Sequence, residues 1–155
     1  MTEKPTYCWD ATVLIAWLDE ESTAPLAEIA EIVEEIDQRK ANLLVPVTAY
    51  SEVLEAKHTP QKMEQFKKFL ERSNVTVADT TKAIAEKAGQ IRSRGLQAKP
   101  ARKIKTPVAT FMATAIIYGA HVFHTLEDQQ LPLLSKTTIV DGLEICSPKS
   151  MLKTD

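Results

Sequence analysis

One stretch of the sequence, residues 105–125, constrains the fold more than any other. Between Thr106 and Gly119 it is apolar nearly all round, which is typical of a helix buried inside a domain. Thr106 is suited to cap this helix, and Gly119 supplies the left-handed residue with which many helices end. The residues that follow, 121–125, predict a strand that is covered on both faces. A buried helix that leads directly into a buried strand predicts the centre of an α/β domain.

Strands and helices alternate along the rest of the chain. Further strand-like runs occupy residues 7–9, 42–46, 75–78 and 143–146, and amphipathic helical segments separate them. This order predicts an α/β fold with a central, mainly parallel sheet of four or five strands and helices on both faces. A length of 155 residues suits one domain. We expect the domain to span residues 1–148, followed by a flexible tail at 149–155.

Composition argues against several functional classes. The net charge of −2 and a pI near 6.0 give no overall nucleic-acid signature, so any basic surface must be local. Cys8 and Cys146 are too few and too far apart for a zinc-finger pattern, and the four glycines form no phosphate-binding loop. No run approaches the ~18–20 apolar residues of a membrane span, and no apolar leader opens the chain. We therefore expect a cytoplasmic protein that does not enter the membrane.

Acidic residues follow the strands at several points. Asp10 and Asp79 each come directly after a strand, and Glu127 and Asp128 follow the strand at 121–125. Glu52 lies early in the helix after the second strand. Because the carboxyl ends of parallel strands share one edge of a sheet, these acids are expected to gather there. Several also have a simpler interpretation: Asp10 and Asp79 as helix caps, with Thr80 and Thr81 competing for the second cap, and Glu52 as an acid favoured by a helix N-terminus.

A group of carboxylates in one crevice has a specific chemical consequence. The like charges repel one another and raise the pKa values of the group, unless a divalent cation neutralises them. Ligands that are all oxygen favour Mg²⁺ or Mn²⁺ over zinc or copper. A carboxylate crevice that holds such ions is suited to the attack of water on a phosphodiester.

The segment from Arg92 to Lys105 carries six basic residues and no acid. A basic run is commonly just a solvated face. This one leads directly into the buried helix, beside the candidate site, so contact with nucleic-acid phosphates is an equal alternative. Arg102, Lys103 and Lys105 are the residues that we expect to bind RNA.

Three segments together resemble the PIN-domain ribonuclease family. Residues 7–15 are similar to its opening motif, residues 47–53 to its second motif, and residues 105–125 to its third. The order and length are those of a small PIN domain of the VapC toxin type, which implies a PIN-like three-layer sandwich. The resemblance implies a metal-dependent endoribonuclease that hydrolyses RNA phosphodiester bonds with Mg²⁺ or Mn²⁺. It also implies an antitoxin protein and a second copy of the chain as partners.

The resemblance also assigns site residues, with one departure. Asp10 and Glu52 match the first two acids of the family, and Glu127 or Asp128 the fourth. The third acid falls at Val108, which cannot bind a metal. The predicted catalytic residues are thus Asp10, Glu52, Glu127 and Asp128, with Asp10, Glu52 and Asp128 as metal ligands. Val108 leaves three readings open: a weakened enzyme, a non-catalytic PIN-fold module that binds RNA or protein, or a chain deliberately disabled.

Overall fold

The computed structural model describes residues 3–152, which form one five-stranded sheet with helices packed against it. The strands are β1 (Thr6–Trp9), β2 (Asn42–Pro46), β3 (Val75–Ala78), β4 (Val122–His124) and β5 (Ile145–Cys146). The helices are α1 (Ala11–Asp19), α2 (Leu26–Asp37), α3 (Val47–Glu55), α4 (Pro60–Leu70), α5 (Lys82–Gln97) and α6 (Thr106–Ile117). Two short 3-10 turns, Leu131–Leu134 and Thr138–Val140, connect β4 to β5.

The sheet has the strand order β3-β2-β1-β4-β5, and every neighbouring pair of strands is parallel. This confirms the predicted α/β fold. The central strand β1 pairs with β2 through Cys8 and Leu44 and with β4 through Cys8 and Phe123. The chain leaves β1 toward β2 on one side and later returns to β4 on the other. Such a change of direction opens a crevice at the carboxyl ends of the strands.

Helix α6 is the buried helix that the sequence predicts. Every residue from 109 to 115 is buried, and the hydroxyls of Thr110 and Thr114 donate to backbone carbonyls one turn earlier, at 2.8 and 2.7 Å. These bonds satisfy the two buried hydroxyls inside the helix itself. Gly119 has a φ of +72°, as the sequence predicts. No helix in residues 3–152 is both long enough and apolar enough to cross a bilayer.

The predicted cap of α6 is wrong. The helix begins at Thr106, so Lys105 occupies the N-cap position and no side chain caps the helix. Thr106 instead lies in the first turn, where its carbonyl accepts the Thr110 hydroxyl. The first N–H groups of α6 therefore remain without a side-chain partner at the point where the helix meets the crevice.

The predicted limits of the domain and of its tail stay a prediction. Met151 donates its backbone N–H to the Tyr7 hydroxyl at 2.8 Å, and the Ser150 hydroxyl bonds to the Glu35 carboxylate. The Tyr7 hydroxyl in turn donates to Glu35 at 2.8 Å. These contacts hold residues 150–151 against β1 and α2. The last part of the predicted tail, residues 153–155, lies outside the described residues.

Candidate active site

A cleft of about 720 Å³ opens at the carboxyl ends of the strands. Four of its lining residues are those that the family motifs single out: Asp10, Glu52, Val108 and Glu127. Asp10 follows β1, Glu52 lies in α3 after β2, Val108 lies in the first turn of α6, and Glu127 follows β4. The parallel sheet thus brings together side chains that are far apart in the sequence. Their roles in catalysis or metal binding stay predictions.

Asp10 is buried, with an exposed fraction of 4%, at the junction of β1 and α1. It caps α1, since its Oδ1 accepts the Val13 N–H at 3.3 Å and the Thr12 hydroxyl. The capping interpretation is therefore correct, and the same carboxylate also lines the cleft. Burial raises the pKa of Asp10 above its ordinary value, although the hydrogen bonds lower it in part. Within residues 3–152 no cation forms an ion pair with this carboxylate.

Glu52 is half-buried on α3 and also lines the cleft. Burial raises the pKa of Glu52, and the negative charge of Asp10 raises it further. The two carboxylates are thus close enough to repel each other. Among the described residues the Glu52 side chain makes no hydrogen bond or ion pair. Asp10 and Glu52 thus form a carboxylate pair with which no cation of residues 3–152 makes an ion pair.

Two threonines to which the sequence alone assigned no role, Thr12 and Thr125, support this pair. The Thr12 hydroxyl donates to Asp10 and accepts the Leu126 N–H at 3.0 Å, which ties α1 to the chain after β4. Thr125 hydrogen-bonds to Asp10 and accepts the Glu127 N–H at 3.1 Å. The one signal available in the sequence was the presence of a threonine two residues after Asp10 and another at the end of the β4 segment.

Glu127 and Asp128 occupy different environments. Both oxygens of Glu127 accept backbone N–H groups, from Gln129 and Gln130 at 2.9 Å and from Leu131 at 2.6 Å. Burial alone would raise the pKa of Glu127, but these hydrogen bonds outweigh burial and lower it. Asp128 is exposed and is not among the residues that line the cleft. The prediction that Asp128 binds metal gains no support from this placement.

Val108 lines the cleft at the position where the family resemblance places an acid. Its side chain is half-buried and packs against the hydrophobic core. Phe111, Leu131 and Leu134 extend the apolar surface beside it. The cleft is therefore lined by an apolar wall, formed by these four residues, as well as by the carboxylate pair.

The basic loop, residues 99–105, forms the rim of the cleft, and Arg102, Lys103 and Lys105 all line it. Its backbone is anchored: Arg102 donates its N–H to the Gly95 carbonyl at 2.7 Å, and the Arg92 side chain donates to the Ile104 carbonyl at 3.0 Å. A Cβ at Gly95 would lie 2.7 Å from the Arg102 carbonyl oxygen, so glycine permits this approach.

The cationic side chains of the loop are not neutralised. Within the described part of the chain, no carboxylate pairs with Arg102, Lys103 or Lys105. The anchored backbone thus holds unpaired positive charge at the edge of the cleft, where a phosphate could be bound.

Asp79 does not join the site. It is exposed after β3, at the edge of the sheet, and does not line the cleft. Its alternative interpretation as a helix cap is wrong as well, because Thr81 caps α5 by accepting the Ile84 N–H at 3.2 Å. The cause is the strand order: β3 lies two strands away from β1, so its carboxyl end is remote from Asp10.

The carboxylates form a limited ligand set. Across residues 3–152, no three His, Cys, Asp or Glu side chains come together in a group that could hold a metal ion. Glu127 is occupied by backbone hydrogen bonds, and Val108 has no ligand atom. The remaining pair, Asp10 and Glu52, offers the oxygen ligands that Mg²⁺ and Mn²⁺ prefer, and Mg²⁺ commonly binds one or two carboxylates while keeping several waters. Among the described residues, the cleft therefore supplies two carboxylate oxygen donors of the kind that such an ion takes, and no third.

Comparison with known proteins defines the class of the chain. The PIN domain family model matches residues 7–134, so the chain belongs to the PIN domain family. The match includes every residue that lines the cleft. No curated protein was matched by the sequence.

Solved structures share the fold at low sequence identity. VapBC2 from Rickettsia felis, bound to a promoter DNA fragment, matches with a TM-score of 0.61 and 14% identity over 90% of this chain and 96% of that chain. FitAcB from Neisseria gonorrhoeae matches with a TM-score of 0.58 and 14% identity, over 92% of this chain and 97% of that chain. VapBC-1 from nontypeable Haemophilus influenzae matches with a TM-score of 0.59 and 17% identity, over 92% of this chain and 97% of that chain. The expected PIN fold is thereby confirmed.

Proposed function

We propose that this chain is a PIN-type endoribonuclease that hydrolyses RNA phosphodiester bonds with the help of one Mg²⁺ or Mn²⁺ ion held by Asp10 and Glu52. The observation that carries this proposal is the uncompensated carboxylate pair in the cleft. Burial and, after it, repulsion from Asp10 raise the pKa of Glu52, and a divalent cation is the group that would relieve the repulsion. Membership of the PIN domain family supports the same reaction class.

The residues of the chain have distinct tasks in this proposal. Thr12 and the Val13 N–H fix the Asp10 carboxylate, and Glu52 approaches it from α3. Arg102, Lys103 and Lys105 bind the phosphates of RNA and hold the backbone across the cleft. A bound divalent ion would activate water and neutralise the charge that develops on the phosphate. Glu127 holds the turn that begins at Leu131 through its hydrogen bonds and does not bind the metal in this proposal.

Val108 limits this activity. A second ion would need further carboxylates, and the third acid of the family is absent. Two-metal sites act as a clamp on both the attacking and the leaving oxygen, so a single ion gives up part of that stabilisation. We therefore propose a weakened enzyme rather than an inactive one.

The alternative function is a non-catalytic PIN-fold module that binds RNA or protein. One observation favours it: residues 3–152 contain no group of three potential ligands that could hold a metal. In this case the cleft and the basic loop would retain RNA, and the carboxylate pair would remain without a catalytic task.

The experiment that separates the two is metal-dependent cleavage of an end-labelled, structured RNA. We expect slow cleavage that requires Mn²⁺ or Mg²⁺, is abolished by EDTA, and is lost in Asp10→Asn and in Glu52→Gln. Asp79→Asn is the matched control, since Asp79 follows a strand but lies outside the cleft, and it should retain full activity. Absence of cleavage in the wild-type chain, with RNA still bound, would establish the binding module instead.

We also propose an antitoxin protein and a second copy of this chain as partners. The support is the fold shared with the VapBC and FitAcB structures. Ile117 and Tyr118, at the end of α6, are exposed hydrophobic residues that suit an interface. Light scattering of the purified chain should report a dimer, and Tyr118→Lys should shift it to a monomer if this surface is used. A monomeric wild-type chain would contradict the dimer.

A further inference from the structure

The apolar wall of the cleft has no task in the chemistry proposed above. It consists of Val108, Phe111, Leu131 and Leu134, on the side of the cleft that the basic loop also borders. Apolar surface beside a few polar groups, in a concavity of about 720 Å³, is typical of a site for a small organic group. The valine is central here, because an acid at position 108 would make the same wall polar and negative.

We propose that this wall is a subsite for one unpaired nucleobase of single-stranded RNA, and that Val108 is a residue that determines this specificity. The inference rests on the proposed use of the cleft by RNA, and it names the class of RNA and the part of the nucleotide that is recognised.

The positive charge in the cleft indicates which kind of ligand the apolar wall binds. Arg102, Lys103 and Lys105 line the same cleft as the apolar wall, and within the described residues no carboxylate pairs with them. A ligand that complements both features carries an apolar, planar group joined to an anion. A nucleotide in an RNA strand has this construction, since its base can contact the wall while its phosphates contact the loop.

The position of the wall favours single strands over duplexes. The residues of the apolar wall are buried or half-buried, in α6 and in the 3-10 turn Leu131–Leu134, whereas Lys103 and Lys105 are exposed. A base that is paired and stacked in a duplex cannot turn into such a concavity, but a base in a loop or single strand can be splayed out. The wall should therefore bind RNA with an unpaired base more tightly than RNA in which all bases are paired.

The 3-10 turn gives the wall a fixed shape. Glu127 accepts the backbone N–H groups of residues 129–131, which holds the turn at its beginning, and Leu131 and Leu134 are buried. Phe111 is buried in α6 with an exposed fraction of 4%. Only Val108 is half-buried and can still gain contact area when a base binds.

The test is fluorescence anisotropy with a labelled single-stranded RNA octamer in EDTA, so that metal and cleavage play no part. Two competitors separate the contributions: the same octamer annealed to its complement, and an abasic ribose-phosphate octamer with the same number of phosphates. We expect the single strand to bind about tenfold more tightly than either, the scale of one well-buried apolar contact.

Three variants locate the preference. Val108→Asn, which is polar but uncharged, should remove the preference for bases and leave binding of the abasic octamer unchanged. Val108→Ile should retain the preference. Arg102→Gln with Lys103→Gln should weaken the binding of the single-stranded, annealed and abasic octamers by similar factors. If Val108→Asn does not fold, Val108→Thr, which has nearly the same shape, gives the same comparison.

Two results would overturn the inference: equal binding of the single-stranded and abasic octamers, or an unchanged base preference in Val108→Asn. Neither depends on catalysis. Base preference without Mn²⁺-dependent cleavage would support the subsite and contradict the proposed nuclease activity. Cleavage without base preference would support the nuclease activity and contradict the subsite.

Discussion

The Glu127 carboxylate accepts the backbone N–H of Leu131 at 2.6 Å, and this bond fixes the turn that forms one wall of the cleft. Gln129 and Gln130 donate to the same carboxylate. Glu127 therefore acts on the cleft through the backbone that it holds. An acid in the right place of a family motif can thus have a structural role.

This role predicts a difference between two neighbouring acids. Glu127→Ala should lower the free energy of unfolding by about 1 kcal/mol, the scale of a lost capping interaction, while Asp128→Ala should leave it unchanged. Because hydrogen bonding lowers the folded-state pKa of Glu127, its contribution is present above its ordinary pKa and is lost as the pH falls through the folded value. Urea denaturation of the two variants measures this, and equal effects would contradict the assignment.

His124 predicts a loss of stability in mild acid. It is fully buried, its Nδ1 accepts the Trp9 Nε1–H at 3.1 Å, and burial lowers its pKa from 6.5 to about 3. Since the unfolded chain binds the proton between these values, stability falls as the pH decreases from 6.5, by about 2 kcal/mol between pH 7 and pH 5. The raised pKa of Asp10 acts in the opposite direction, because the folded chain takes up that proton more readily than the unfolded chain as the pH falls.

Urea denaturation at several pH values measures this loss. His124→Gln retains an acceptor for Trp9 but does not titrate, so its stability should not decline between pH 7 and pH 5 as that of the wild type does. A decline in this variant that equals that of the wild type would assign the effect to other groups.

The sequence predicted most of the sheet, because short apolar runs that end at proline, glycine or an acid form few structures other than buried strands. β2 (Asn42–Pro46) and β3 (Val75–Ala78) have the predicted bounds. The convergence of Asp10 and Glu52 on one cleft was also predicted, since both follow adjacent parallel strands.

The site details could not be predicted because they depend on hydrogen bonds between distant segments. Thr12 meets Leu126, which lies 114 residues away in the sequence. Glu127 points toward its own backbone and Asp128 toward solvent, and nothing in their neighbouring positions distinguishes them. Asp79 had the same local pattern as Asp10, and only the strand order separated the two.

The basic loop predicts a salt-dependent contribution to RNA affinity. Arg102→Gln with Lys103→Gln should weaken binding and reduce the slope of log affinity against log salt by about 1.4, or about 0.7 for each phosphate contact with a single strand. Lys67→Gln with Lys68→Gln, on the exposed face of α4, is the control with the same change in charge. An unchanged affinity and slope in the loop variant would make the loop ordinary surface.

Position 108 predicts a gain of function. Val108→Asp should raise Mn²⁺-dependent RNA cleavage by at least about tenfold, which corresponds to about 1.4 kcal/mol of the barrier. The new carboxylate adds repulsion to Asp10 and Glu52, so the melting temperature should fall without metal and recover with it. Val108→Leu is the control without a ligand. If Val108→Asp folds but alters neither cleavage nor metal-dependent melting, position 108 is ordinary core and its alignment with the family's third acid is wrong.

The most direct test of the account is a calorimetric titration of the wild-type chain with Mn²⁺. If Asp10 and Glu52 form the metal site, the chain binds one ion, Asp10→Asn and Glu52→Gln each abolish the binding, and Asp79→Asn and Asp128→Asn retain it. No heat of binding in the wild type, or binding that survives Asp10→Asn, would contradict the assignment of this carboxylate pair as the metal site.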